Sequence, residues 1–190
     1  ADRPGFVVNR LLAKVMGEAA RALDEGTPLP VVERALAPIG LPMGPFELID
    51  LVGWKVAAHV QDTMVAAFPD RFYASENRHR LAEVDWPLSK TKLGKVDDLS
   101  KAGKKAVTLG KTAVTEEVIL RRVEDELASE IKIMLDEHVV AAAEDIDLCL
   151  ILGAGWPFQA GGATPYLDRV GASERNFDAT FHDPIVAGAR

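Results

Sequence analysis

The sequence predicts an all-α protein built from two related helical halves. Three observations carry that prediction. Apolar residues recur at three- and four-residue steps over long stretches, alternation with period two is never sustained, and the second half repeats the pattern of the first. The first helix begins near Phe6, with Leu12, Val15, Met16, Ala19, Ala20 and Leu23 on one face. Pro4 and Gly5 punctuate its start, and Gly26 with Pro28 its end. A second helix is expected over Leu29–Leu36 with Pro30 in its first turn, where a missing amide costs nothing. Pro38, Gly40 and Pro42 break it. Phe46–Leu51 is a short apolar helix closed by Gly53, and Trp54–Phe68 an amphipathic one ended by Pro69. A long helix resumes near Thr115 with Val123, Leu127, Ile131 and Leu135 on one face. Ile146–Leu152 follows, then the turn Gly153-Ala-Gly-Trp-Pro157.

The repeat emerges on setting Glu18 against Glu130. Leu23, Asp24 and Glu25 then meet Leu135, Asp136 and Glu137. Further on, Gly40-Leu-Pro42 faces Gly155-Trp-Pro157, and Leu48-Ile-Asp50-Leu-Val-Gly53 faces Tyr166-Leu-Asp168-Arg-Val-Gly171. One copy cannot easily bury its apolar faces, whereas two packed copies can. The predicted boundaries are a first helical repeat over 1–89, a Lys-rich connection over 90–114 and a second repeat over 115–190.

Composition narrows the function classes. The 190 residues are 48% hydrophobic with a net charge of −7, which excludes a disordered chain. Residues 90–111 hold seven lysines against two aspartates, a local charge of +5 that leaves −12 elsewhere, so they read as a solvated connection. The acidic balance argues against nucleic acid as a partner. The single Cys149 fits a reducing compartment, no apolar run is long enough for a membrane span, and no secretory leader opens the chain, so the expected location is cytoplasmic.

Motifs for chemistry are sparse. Gly153-Ala-Gly155-Trp-Pro157 begins like a dinucleotide loop but follows a helix, lacks the third glycine and holds a proline where a helix should open, so it reads as a packing turn. His59, His79, His138 and His182 show no zinc-site spacing, and no metal is expected. Asn9 lies early in the first long helix, although asparagine is a mediocre helix former. Periodicity makes it a surface or capping residue; its carboxamide could also hold a substrate carbonyl or a catalytic imidazole.

Asp2-Arg-Pro-Gly-Phe-Val-Val-Asn-Arg-Leu-Leu12, Leu41-Pro-Met-Gly-Pro-Phe-Glu-Leu-Ile-Asp50 and Val52-Gly53 together resemble the C-terminal region of 3-hydroxyacyl-CoA dehydrogenases. The second half, through Glu144-Asp-Ile-Asp147 and Gly155-Trp-Pro157 to Gly162, is similar to the second C-terminal repeat of multifunctional fatty-acid oxidation enzymes. The resemblance implies an all-α fold of two repeats of that type. It implies oxidation of a (3S)-3-hydroxyacyl-CoA to the 3-ketoacyl-CoA, with hydride passing to NAD. NAD and the catalytic His-Glu pair would belong to a Rossmann domain expected before Ala1, so this chain alone is expected to be inactive. Asn9 takes the place of the family's active-site asparagine, which orients substrate, and Pro42 and Met43 would line or support the same cleft. Implied partners are an acyl-CoA substrate, the chain's own upstream Rossmann domain, and a thiolase subunit or a second copy. The rival expectation is a stand-alone helical dimerisation or thiolase-docking module without catalysis. Two departures stand out. The family's G-x-G-F-Y-x-Y segment is replaced by the Lys-rich stretch, and Leu152 stands where some relatives have a tyrosine near substrate.

Overall fold

The structure is a computed structural model that describes residues 4–91 and 95–182. Helices dominate it. In chain order they are α1 (Val8–Asp24), α2 (Leu29–Ala35), α3 (Pro45–Val52), α4 (Trp54–Ala67) and α5 (Glu76–Ala82), then, after a hairpin, α6 (Lys101–Ala106), α7 (Glu116–Asp136), α8 (Ala143–Ala154), α9 (Ala163–Arg169) and α10 (Ala172–Phe177). Among the described residues the only strands are β1 (Leu88–Lys90) and β2 (Val96–Leu99), paired antiparallel with Leu88 opposite Leu99. Residues 90–114, read from sequence as a connection, therefore hold β2 and α6. Leu99 and Gly103 are buried there while the described lysines stay in water.

The chain divides into two compact bodies. One holds the residues up to Lys14, Gly40–Pro42 and everything from Arg121 on; the other holds Val15–Ile39 and Met43–Leu120. In the first, the apolar stripe of α7 (Val123, Leu127, Ile131 and Met134) is buried with Val7 and Leu11 of the N-terminal segment and with Ile146 and Leu150 of α8. Burying such side chains contributes roughly 1.5–3 kcal/mol each before chain entropy is counted. Ion pairs sit inside the same body. Arg10 is fully buried; its guanidinium pairs with the equally buried Glu130 and, at 3.0 Å, with Glu137. Lys14 reaches Glu126 at 2.7 Å. The core of the second body collects Leu23, Leu29, Val32, Phe46, Ile49 and Leu81. Arg78 lies 4% exposed in it and donates at 2.5 Å to the carbonyl of Met16. Burial pulls the Arg78 guanidinium down to about 10.

The duplication read from sequence is visible in the details. In each half a carboxylate from one helix caps the next. Glu33 of α2 accepts from the amides of Phe46 and Glu47, at 2.8 and 3.3 Å, at the start of α3. Asp147 of α8 accepts from the amide of Thr164 at 2.8 Å, at the start of α9. Both helices are preceded by a glycine that makes room for the carboxylate. A β-carbon on Gly44 would lie 1.5 Å from Glu33 Oε2, and one on Gly162 would lie 2.3 Å from Asp147 Cγ. Desolvation raises both carboxyl pKa values, opposed by these amide bonds. The helices also end alike: Gly53 and Gly171, at φ of 96° and 72°, each lead into the following helix.

Candidate functional site

The turn Gly153-Ala-Gly155 organises the candidate site in the first body. Gly155 closes α8 in the left-handed conformation, at φ of 68°, and its amide bonds back to the carbonyl of Leu150. A β-carbon on Gly155 would lie 3.1 Å from Pro42 Cγ. The reverse contact is present too: a β-carbon on Gly40, at φ of 79°, would lie 2.7 Å from Pro157 Cγ. The two repeat-related turns thus pack reciprocally, each glycine against the other's proline. Such i-to-j and j-to-i contact belongs to two-fold relations. Two residues back, a β-carbon on Gly153 would sit 2.9 Å from Cγ2 of Val8. The same three-residue turn therefore receives Pro42 on one side and the residue before Asn9 on the other.

Asn9 is exposed in the first turn of α1. Its neighbour Arg10 is held by the buried pairs to Glu130 and Glu137, and Leu11 is buried. A polar side chain in water on a backbone fixed by its neighbours suits a contact with a polar ligand group. Leu152, just before the turn, is 78% exposed. Val8, Pro42 and Leu152 therefore share the surroundings of one turn, with Asn9 the next residue along α1. Met43, the third residue expected in the cleft, is half-buried and falls in the second body. Arg121, which stands opposite Asn9 in the repeat, is an exposed residue of α7.

A buried polar network lies at the start of α9. Thr164 Oγ donates to Asp147 Oδ2 at 2.7 Å and lies 2.7 Å from His182 Nε2. The carboxylate of Asp168 accepts from the amides of Phe181 and His182. These three groups resemble a nucleophile set, yet Thr164 is fully buried, so the network anchors the segment 178–182. Sequence reasoning missed the caps and this network because their partners are 13 to 18 residues apart on separate segments.

A bound NAD would need a glycine-rich turn between a strand and a helix, with amides open toward phosphates. Among the described residues Gly153–Gly155 forms the C-terminal end of α8 and contacts Val8 and Pro42 instead. The described residues do not fit a dinucleotide. No group of three or more metal-ligating side chains occurs among them, and no described helix is long and apolar enough to cross a membrane.

Comparison with known proteins decides the family. The family of the 3-hydroxyacyl-CoA dehydrogenase C-terminal domain matches residues 5–98. These residues belong to that family. The chain is 31% identical over 194 aligned positions to the fatty acid oxidation complex subunit alpha of Acinetobacter baumannii (strain SDF), and 30% identical over 193 to that of Pseudomonas putida (strain F1). Each alignment covers 91% of this chain and 26% of the relative, so the chain spans about a quarter of the length of the curated relatives it matches. In fold the chain is similar to the crystal structure of 3-hydroxybutyryl-CoA dehydrogenase from Escherichia coli K12, with a TM-score of 0.66 at 18% identity, over 98% of this chain and 60% of the other. The predicted all-α fold of two helical repeats agrees with that likeness.

Proposed function

We propose that this chain is the substrate-cleft and assembly part of an NAD-dependent 3-hydroxyacyl-CoA dehydrogenase of fatty-acid β-oxidation, converting (3S)-3-hydroxyacyl-CoA to 3-ketoacyl-CoA. The observation that carries the reading is Asn9, exposed at the start of α1 beside the locked Arg10 and next to the turn that receives Pro42. In this reading the Asn9 carboxamide donates to the substrate's 3-oxygen, Pro42 walls the same cleft, and Met43 supports it from the neighbouring position in sequence. Hydride transfer needs NAD, which the described residues do not fit, so no step of it is assigned to them.

The assembly role draws on a separate observation. Leu148 and Leu152, one turn apart on α8, are 58% and 78% exposed, and Phe158 is 80% exposed. Exposed apolar side chains in one stretch fit a docking surface, for which a thiolase subunit or a second copy is the expected partner.

The reading predicts no NADH from the 190-residue chain supplied with 3-hydroxybutyryl-CoA and NAD. Addition of a separately produced NAD-binding domain should restore NADH formation with the wild-type chain and not with Asn9→Ala. NADH formation by the chain alone, or equal complementation by both versions, would refute it.

A further inference from the structure

We propose that a cavity among α2, β2 and α6 binds a small amphiphile with one anionic head and a short aliphatic tail. The cavity lies wholly in the second body and encloses about 410 Å³. That is within the size range of small-molecule sites, roughly 300–1,000 Å³. Leu23, Leu29 and Leu99 form its floor, each 5% exposed or less, and Val107 and Leu109 flank them. Leu109 remains 41% exposed, an apolar surface suited to a ligand's tail. At about 30 Å³ per water-sized unit, the volume holds about fourteen such units, enough for a chain of about eight to ten carbons with its head group.

The polar groups specify the head. Lys104 lines the cavity and pairs with Asp98 at 2.5 Å, its side chain still 58% exposed. Lys101 and Lys105 stand exposed on the same helix, and α6 contains no acidic residue. Thr27 Oγ accepts from the amide of Val114 at 3.0 Å, which leaves its own O–H to donate. Asp98 lines the cavity as well and takes one donor of Lys104, so the remaining donors of Lys104, the nearby Lys101 and Lys105 and the Thr27 hydroxyl are the groups that complement a carboxylate on an aliphatic tail. A smaller cavity of about 260 Å³ in the same body makes the contrast. Its lining has no aliphatic floor: Asp24 accepts from Tyr73 and Asn77, and Arg80 pairs with Glu76 and donates to Thr108.

Decanoate titrated into the isotopically labelled 190-residue chain tests the site by NMR, with decyltrimethylammonium as the charge-reversed probe. Decanoate should give saturable shifts at the amides of Leu99, Lys104 and Val107, and the cationic probe should bind about tenfold more weakly or worse. Val107→Trp, which fills the cavity, and Leu109→Trp, at its exposed rim, should each weaken decanoate about tenfold, and Lys104→Ala should reduce the preference for the anionic probe. Absence of saturable shifts at those amides, equal affinity for both probes, or unchanged decanoate affinity in the folded tryptophan variants would overturn the proposal.

Discussion

Gly44→Ala isolates the carboxylate cap from backbone strain. Gly44 has φ of −68°, a value any residue adopts, so alanine brings no conformational penalty of its own. Its β-carbon would stand 1.5 Å from Glu33 Oε2 and 2.6 Å from Cδ, so the carboxylate must leave. With it go both amide bonds at the start of α3. Loss of a helix cap costs about 0.5–2 kcal/mol, and loss of a negative charge at a helix N-terminus about 0.3–1 more. Desolvation of Glu33 offsets part of this, leaving an expected loss of about 1–2 kcal/mol. At this chain length that lowers Tm by roughly 3–6 °C. Urea unfolding followed by circular dichroism should give similar losses for Gly44→Ala and Glu33→Ala, and a double variant no worse than about 0.5 kcal/mol beyond either one. Additive losses in the double variant would refute the claim that the glycine exists to admit the carboxylate.

Four further outcomes follow from the same geometry. Because desolvation raises the Glu33 pKa in the folded state, the pH-linked part of its contribution is present below about pH 4 and is lost as pH rises through the folded value, while the amide bonds remain. Glu33→Gln keeps an amide acceptor, so the stability of the wild type minus that of the variant should shrink from about pH 4 to 7; a growing difference would contradict the shift. Both tyrosines titrate late: Tyr73, desolvated and beside Asp24, is pushed up to about 12, and Tyr166, desolvated and bonded to Glu124, is raised further. Near-ultraviolet absorbance should show little tyrosinate in the native chain at about pH 10.5 and much in the unfolded chain, and a native midpoint near 10 would disprove this. Arg10→Ala leaves Glu130 buried without its guanidinium and should cost about 3–5 kcal/mol by chemical denaturation, whereas a loss below about 1 would show that the pair is dispensable. Gly155→Ala combines φ of 68° with the contact to Pro42 and should cost about 1–3 kcal/mol, against a neutral result if the turn is loose.

The helices that sequence located are those whose signal is local. α1 and α7 carry an apolar stripe, and α2, α3 and α4 are bracketed by proline and glycine, so their limits fall within a few residues of those expected. α5 escaped because Glu-Asn-Arg-His-Arg has no apolar stripe; Asn77 and Arg78 face inward and are satisfied by Asp24, Thr108 and Met16. α6 escaped because five of the chain's lysines crowd around it; the burial of Gly103 against the carbonyl of Pro87 and the Ser100 hydroxyl that caps the Gly103 amide fix it. Arg10 and Glu130 violate the expectation that charge stays in water, and nothing local marks them. At the candidate site, Asn9 and Pro42 were legible through resemblance. The Gly153–Gly155 turn was read as a packing element, and its contacts with Val8 and Pro42 supply the reason. The repeat was legible as aligned turns; the reciprocal glycine–proline packing is a tertiary fact that no single stretch encodes.

In the proposed function Asn9 meets the acyl-CoA substrate at the start of α1. Titration of acetoacetyl-CoA into the labelled chain, with the Asn9 side-chain amide observed by NMR, tests it most directly. A saturable shift of that resonance, with affinity reduced in an Asn9→Ala chain whose stability stays within about 0.5 kcal/mol of wild type, is the predicted result. Binding that leaves the Asn9 carboxamide unmoved, or equal affinity in the variant, would contradict it.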